Sequence, residues 1–184
     1  IPFDVGKEVQ ERFNDRTINE LIKACYDMGE AKTGALIVIE QTNHLDEFVR
    51  TGITVDAVLS SQLLINIFEH NTPLHDGAVV MRGNRIVAAT CYLPLSDNME
   101  LSKQLGTRHR AGVGISEVSD SVTIIVSEET GQVSVAQDGV LVRDITSTQL
   151  RDILKKAQNK TIIDNNRLRQ FFKGRSKHEG KTDK

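Results

Sequence analysis

Two short segments of the chain carry residue types suited to phosphate chemistry. His75, Asp76, Gly77 and Ala78 place an acid in a glycine turn, and Gly106, Thr107, Arg108, His109 and Arg110 form a compact cationic run. A carboxylate beside a glycine suits a divalent metal and a closely approaching substrate, and His75 adds a second type of metal ligand. Two arginines around a histidine suit a polyphosphate, because guanidinium forks match phosphate oxygens better than ammonium groups do. Together they describe a site that activates a hydroxyl and handles phosphates.

Each motif also has a plainer reading. Asp-Gly is common turn chemistry, and the whole of 71–77 (NTPLHDG) is turn-forming. Against that, Gly77 and Ala78 are small residues at the mouth of a strand, where bulk would block a ligand. A charge cluster such as 108–110 is ordinarily a solvated helix face. Here the preceding Leu105-Gly106-Thr107 supplies a glycine, a hydroxyl and backbone N–H groups near a helix start, which is anion-binding geometry. On a helix Thr107 and Arg110 share a face and Arg108 points elsewhere.

A third group, Ser127, Glu128 and Glu129, closes a strand. Alternation puts Val122, Ile124 and Val126 on one face and Thr123, Ile125 and Ser127 on the other. If the strand continues, Glu129 joins Ser127 and Glu128 does not. Two acids at a strand end are often only a hairpin tip; facing a phosphate cradle, they could hold a metal. Tyr92 and Leu93, before Pro94, offer an aromatic ring and free strand-edge backbone to a base. An isolated aromatic there is more often core or rim.

The elements that must position these groups follow from apolar period and turn chemistry. A helix capped by Asn14 or Asp15 carries Ile18, Leu21, Ile22, Cys25 and Met28 at helical spacing. Gly34 ends that unit, and Ala35 to Glu40 reads as a buried strand. A short helix from Leu45 to Val49 and a strand from Ile53 to Val58 follow. A helix capped by Ser60 or Ser61 runs to His70, with Leu63, Leu64, Ile67 and Phe68 inward. Residues 78–93 read as a hairpin around Gly83-Asn84, and 100–117 as a helix interrupted by Gly106, Gly112 and Gly114. A second hairpin joins 121–127 to 133–139, and Ser147 or Thr148 caps a last helix with Leu150, Ile153 and Leu154. Helices interleaved with strands and hairpins predict one α/β domain with a central mixed sheet flanked by helices. It spans residues 15–158, between a polar lead-in (1–14) and a polar tail (159–184) expected to be disordered.

Composition narrows the function class. The chain has 184 residues, enough for one domain with a substantial core. Its net charge of −2 provides no global basic field for nucleic acid, and no nucleic-acid motif is present. There is no run of about 18 apolar residues to cross a membrane. Cys25 and Cys91 lack metal-ligand spacing and read as buried thiols rather than a disulfide framework. The chain begins at Ile1 without a methionine, as a fragment of a longer protein would. No internal repeat is visible.

At PLHDGAVVM (73–81), CYLPLS (91–96), LGTRHRAGVGISEVSD (105–120) and TIIVSEETGQVSVA (123–136) the chain resembles the diadenylate cyclase (DAC, DisA_N-type) family, in particular its membrane-anchored CdaA type. The resemblance covers most of 15–158, and the pairing of DGA with RHR at this spacing is highly specific. One departure is Ala111-Gly112-Val113, where a more alanine-rich helix is expected. The resemblance implies the DAC fold and condensation of two ATP into 3′,5′-linked cyclic di-AMP with release of two pyrophosphates. It implies Mn²⁺, Mg²⁺ or Co²⁺ as cofactor and catalysis across a face-to-face homodimer. It also implies transmembrane helices ahead of Ile1 that anchor a cytoplasmic domain to the bacterial cell membrane. A YbbR-repeat regulator and phosphoglucosamine mutase are the implied partners.

Under this reading Asp76, with Gly77 and Ala78 leaving room for the ribose, activates the 3′-hydroxyl. Arg108 and Arg110 hold phosphates, helped by Thr107, His109 and Ser127. Asp76, His75 and Glu129, or Glu128 in its place, bind the metal. Adenine lies by Tyr92 and Leu93, with Leu36 and Leu64 as apolar walls. A silent nucleotide sensor would need no hydroxyl activator such as Asp76. A metal-dependent phosphohydrolase would need a denser ligand set than the five scattered histidines provide.

Overall fold

A computed structural model describes residues 9–161; the expectations for residues 1–8 and 162–184 lie outside the described residues. The elements in chain order are β1 (Val9–Glu11), α1 (Asp15–Glu30), β2 (Ala35–Ile39), α2 (Asp46–Val49), β3 (Ile53–Val58), α3 (Ser61–Phe68) and β4 (Ala78–Arg82). Then come β5 (Arg85–Cys91), α4 (Thr107–Val118), β6 (Val122–Val126), β7 (Val133–Gln137), β8 (Val140–Val142), α5 (Ser147–Gln158) and β9 (Asn159–Thr161). They fall into two units. In the smaller, β1 and β9 pair antiparallel with Val9 opposite Thr161. These six residues fall in the expected polar lead-in and in the tail expected to be disordered, and three-residue strands of polar composition carry no readable period.

The larger unit, Arg12–Gln158, is built on a seven-stranded sheet ordered β3-β5-β4-β2-β6-β7-β8. Only β2 and β4 run parallel; every other neighbouring pair is antiparallel. Alternation divides each central strand between two cores. Ala35, Ile37 and Ile39 of β2, with Val122, Ile124 and Val126 of β6, face a cluster formed with α1, α3 and α5. Leu36 and Val38, with Ile125, face a second cluster formed with α4. Cys25 and Cys91 are buried free thiols in different clusters.

Capping explains the helix starts. The Asn14 side chain accepts from the Thr17 N–H at 2.9 Å, and the Ser60 hydroxyl accepts from the Leu63 N–H at 3.1 Å. For α5 the cap is Thr146 rather than Ser147 or Thr148. Its hydroxyl accepts from the Gln149 N–H while the Gln149 side chain accepts from the Thr146 N–H, a reciprocal capping box. The helix expected from Glu100 begins only at Thr107. Across 96–104 side chains capture the backbone instead: Ser96, Asn98 and Ser102 accept from the N–H groups of Asn98, Glu100 and Gln104. Such local bonds compete with the helical ladder.

Gly112 and Gly114, which weaken α4 on propensity, are demanded by packing. A Cβ on Gly112 would stand 2.8 Å from the Ile125 side chain, and one on Gly114 would collide with the Pro94 carbonyl. The helix lies almost directly on the sheet and on the loop that follows β5.

Candidate functional site

One edge of the sheet opens into a cleft of about 670 Å³. The starts of β2 and β4 and the ends of β5 and β6 meet there, because β2 and β4 are parallel and both neighbours run against them. The N-terminus of α4 reaches the same edge. Asp76, Thr107, Arg108, Ser127 and Tyr92 therefore line one cleft although they come from four separate parts of the chain.

His75 and Asp76 sit in the turn before β4. The His75 Nδ1 lies 2.7 Å from the Thr72 carbonyl, which can only accept, so Nδ1 carries the proton. In the neutral ring Nε2 then presents a lone pair, 3.4 Å from Asp76 Oδ1. Two acceptors facing each other at this distance suit a cation held between them. The Asp76 side chain is 88% exposed, so water or a ligand reaches it freely. Gly77 has φ +81°, and a Cβ would press on the backbone of Thr90 and Cys91 at 2.9 Å. Its glycine is thus required by the adjoining strand.

At the start of α4, Gly106 caps the helix through its backbone, with open space where a Cβ would be. The Arg108 guanidinium lies over Gly34: a Cβ there would stand 2.5 Å from the guanidinium carbon. Arg108 Nη1 also meets Glu128 Oε2 at 3.2 Å. The guanidinium is thereby pinned between a backbone and a carboxylate. Burial above all, and then the nearby charges of Arg143 and Arg108, hold the His109 pKa below its ordinary value. At neutral pH its ring contributes hydrogen bonds rather than charge.

β6 ends at Val126, so strand alternation does not decide between the two glutamates, and both Glu128 and Glu129 line the cleft. Glu128 is engaged by Arg108. The Ser127 oxygen accepts from the N–H groups of Glu129 and Thr130, which leaves its proton available to a ligand. Among the described residues no group of three or more His, Cys, Asp or Glu side chains converges on a metal position. His75 and Asp76 would supply two ligands, and a hard cation completes its shell with phosphate oxygens and water.

Several expectations about individual residues need correction. Leu64 lies in the α1-side core, across the sheet from the cleft, and cannot wall a base there. Leu36, on the other face, does line the cleft. Ala78 is fully buried in the α4-side cluster, so its small side chain serves packing. Thr107 and Arg108, rather than Thr107 and Arg110, share the cleft. The Arg108 side chain turns back over Gly34 to Glu128, which brings it to the cleft, and Arg110 is not among the lining residues. The free backbone expected at Leu93-Pro94 does not extend back to Tyr92, whose N–H donates to the Thr51 hydroxyl at 2.8 Å. Gly34 and Arg143 border the site without having been singled out in the sequence; only a tertiary contact reveals them.

The family described as DAC, DisA bacterial checkpoint controller nucleotide-binding, matches residues 22–141. The chain is 50% identical over 170 residues to the cyclic di-AMP synthase CdaA of Bacillus subtilis, covering 92% of this chain and 62% of that protein. It is 52% identical over 146 residues to a diadenylate cyclase of Listeria monocytogenes, covering 79% and 54% respectively. The chain thus spans less than two thirds of these relatives' length. Among solved structures, a cysteine double mutant of DacA from Staphylococcus aureus superposes with a TM-score of 0.77 at 49% identity. That match covers 78% of this chain and 96% of the other. With its mixed sheet, its flanking helices, and Asp76, Gly77, Arg108 and His109 of its DGA and RHR segments on one cleft, the chain belongs to the diadenylate cyclase (DAC) family.

Proposed function

We propose that this chain condenses two ATP molecules into cyclic di-AMP. The observation that carries the reading is the cleft itself, which sets the exposed Asp76 carboxylate and the pinned Arg108 guanidinium on one sheet edge. In each of two equivalent steps a ribose 3′-oxygen bonds to the α-phosphorus of the other ATP. The bond from that phosphorus to the bridging oxygen breaks, and pyrophosphate leaves. Asp76 orients the attacking hydroxyl and receives its proton. Arg108, the Thr107 hydroxyl and the α4 N–H groups hold the α-phosphate, where charge-assisted bonds strengthen as the transition state forms. The Ser127 hydroxyl donates to the same group. A divalent cation bound by His75 and Asp76 would supply positive charge to the hydroxyl and the phosphates.

One cleft and one Asp76 per chain cannot make both linkages of a two-fold symmetric product. A face-to-face pair of chains, related by the axis that relates the nucleotides, resolves this. Tyr92 and Leu95, 79 and 53% exposed, line the cleft after β5 and, with Met99 (95% exposed) later in the same loop, offer apolar surface to such a partner. Bound ATP would stabilise the pair by mass action. Membrane anchoring of the intact protein, and the YbbR-repeat and phosphoglucosamine mutase partners, rest on the resemblance alone. Co-purification from membranes tests them.

Incubation with ATP and Mn²⁺ followed by product analysis decides the reaction. Cyclic di-AMP supports it, ADP or AMP would indicate hydrolysis, and unchanged ATP a sensor. Turnover per chain should fall on dilution below the dimer dissociation constant. Asp76→Asn keeps the shape of the turn and removes the charge; cyclic di-AMP formation is expected to disappear while the fold and part of the ATP affinity remain. Near-normal turnover by folded Asp76→Asn protein would remove Asp76 from the mechanism.

A further inference from the structure

The cleft is poorer in free positive charge than its sequence suggests. Arg108 is paired with Glu128 at 3.2 Å, and Arg110 does not line the cleft. His109 is kept neutral at pH 7 by burial and by neighbouring cations. Asp76, Glu128 and Glu129 add negative charge to the lining. A triphosphate placed here needs a further cation. Arg143 lines the same cleft, is exposed, and has no carboxylate partner among the described residues.

Strand order says which part of the nucleotide it would meet. Along the sheet the cleft residues run from Tyr92 after β5, through Gly77 before β4 and Gly34 before β2, to Ser127 after β6, and finally Arg143 after β8. Neighbouring strands are about 4.8 Å apart, so β8 lies roughly 10 Å beyond β6. On the reading above, adenine occupies the Tyr92 end and the α-phosphate the Arg108 cradle. Arg143 then lies past the cradle, on the side away from the base.

We propose that Arg143 binds the β- and γ-phosphates of ATP, the portion that departs as pyrophosphate. As the 3′-oxygen bonds to the α-phosphorus, the electron pair of the breaking bond passes to the bridging oxygen and leaves with the pyrophosphate. A guanidinium at that position stabilises the charge as it develops. The product retains no β- or γ-phosphate, so Arg143 holds ATP without holding cyclic di-AMP.

Because Arg143 is exposed, Arg143→Ala should fold normally, which an unchanged Tm checks. Calorimetry without divalent metal, titrating ATP, AMP and cyclic di-AMP in turn, isolates the contact. Arg143→Ala is expected to weaken ATP binding about tenfold and leave AMP and cyclic di-AMP within about twofold, with Arg143→Lys recovering part of the loss. Equal weakening of all three ligands, or ATP affinity unaltered, would overturn the assignment. The proposal rests on the cyclase reading but fails separately from it. If the unsubstituted chain makes no cyclic di-AMP while Arg143→Ala still loses affinity for ATP and not for AMP, the triphosphate contact stands and the reaction does not.

Discussion

Helices α1 and α4 cover opposite faces of the same sheet in different ways. On α1 the buried Ile18, Leu21, Ile22, Cys25 and Met28 follow the helical period, and polar residues fill the outer face. On α4 six consecutive residues, Ala111 to Ser116, are buried, and two of them are glycines pressed against Ile125 and Pro94. The first helix is held off the sheet by its side chains. The second is held against it by their absence. Close approach of this kind brings the Thr107–Arg108 turn to the sheet edge and aims it at the cleft. Stability is concentrated on one face and positioning on the other.

Substitutions should separate those roles. Leu21 is fully buried in the α1-side core, so Leu21→Ala should cost about 2–5 kcal/mol through lost transfer energy and a residual cavity. Denaturant unfolding would show it, while kcat per folded molecule stays near the parent value. Gly114→Ala should cost up to about 3 kcal/mol, because the added methyl meets backbone that cannot rotate away. Unlike Leu21→Ala, it should also depress kcat in the folded fraction, since relief requires α4 to shift. If both variants lose stability alone, the division between the faces does not hold.

Gly34→Ala probes positioning without the core. Gly34 does not require a left-handed backbone, and the obstructed group is the mobile end of Arg108. Tm should change little, while kcat/KM falls roughly tenfold, about 1.4 kcal/mol of transition-state stabilisation. A loss of stability with unchanged kinetics would make Gly34 a packing residue only. The smallest effect concerns His109, whose folded pKa lies below its unfolded one. Its contribution to stability is present in full above about pH 6.5 and is lost as pH falls toward the lowered folded value. The stability of His109→Gln should accordingly depend less on pH between 7 and 5; identical pH profiles would rule the residue out.

The same contrast governs what could be read from the chain. The alternation of β6 and the period of α1 were legible because a side chain's face follows from its position along one element. The start of α4 was not, because Asn98 and Ser102 satisfy backbone groups that a helix would otherwise use. β8 was missed as a three-residue edge strand whose Val140 and Val142 are exposed. Asp76, Thr107 and Arg108 were visible as chemical types. The roles of Gly34, under a guanidinium from a helix far along the chain, and of Ala78 and Leu64, inside cores, depend on tertiary neighbours that spacing does not encode.

The single parallel pair has a consequence for how the protein is made. β2 lies at the centre of the sheet, between β4 and β6, with Ile37 beside both Val79 and Ile124. A nascent chain that has delivered β2 must extend through β6 before that strand gains its second neighbour. Pairings so distant in sequence carry a loop-closure cost before they repay it, and they slow folding. During that interval β2, apolar from Ala35 to Ile39, presents an open edge to other chains. Translation that pauses between Arg82 and Val122 should therefore raise aggregation more than a pause after Val126, when the strand that carries the cleft is enclosed.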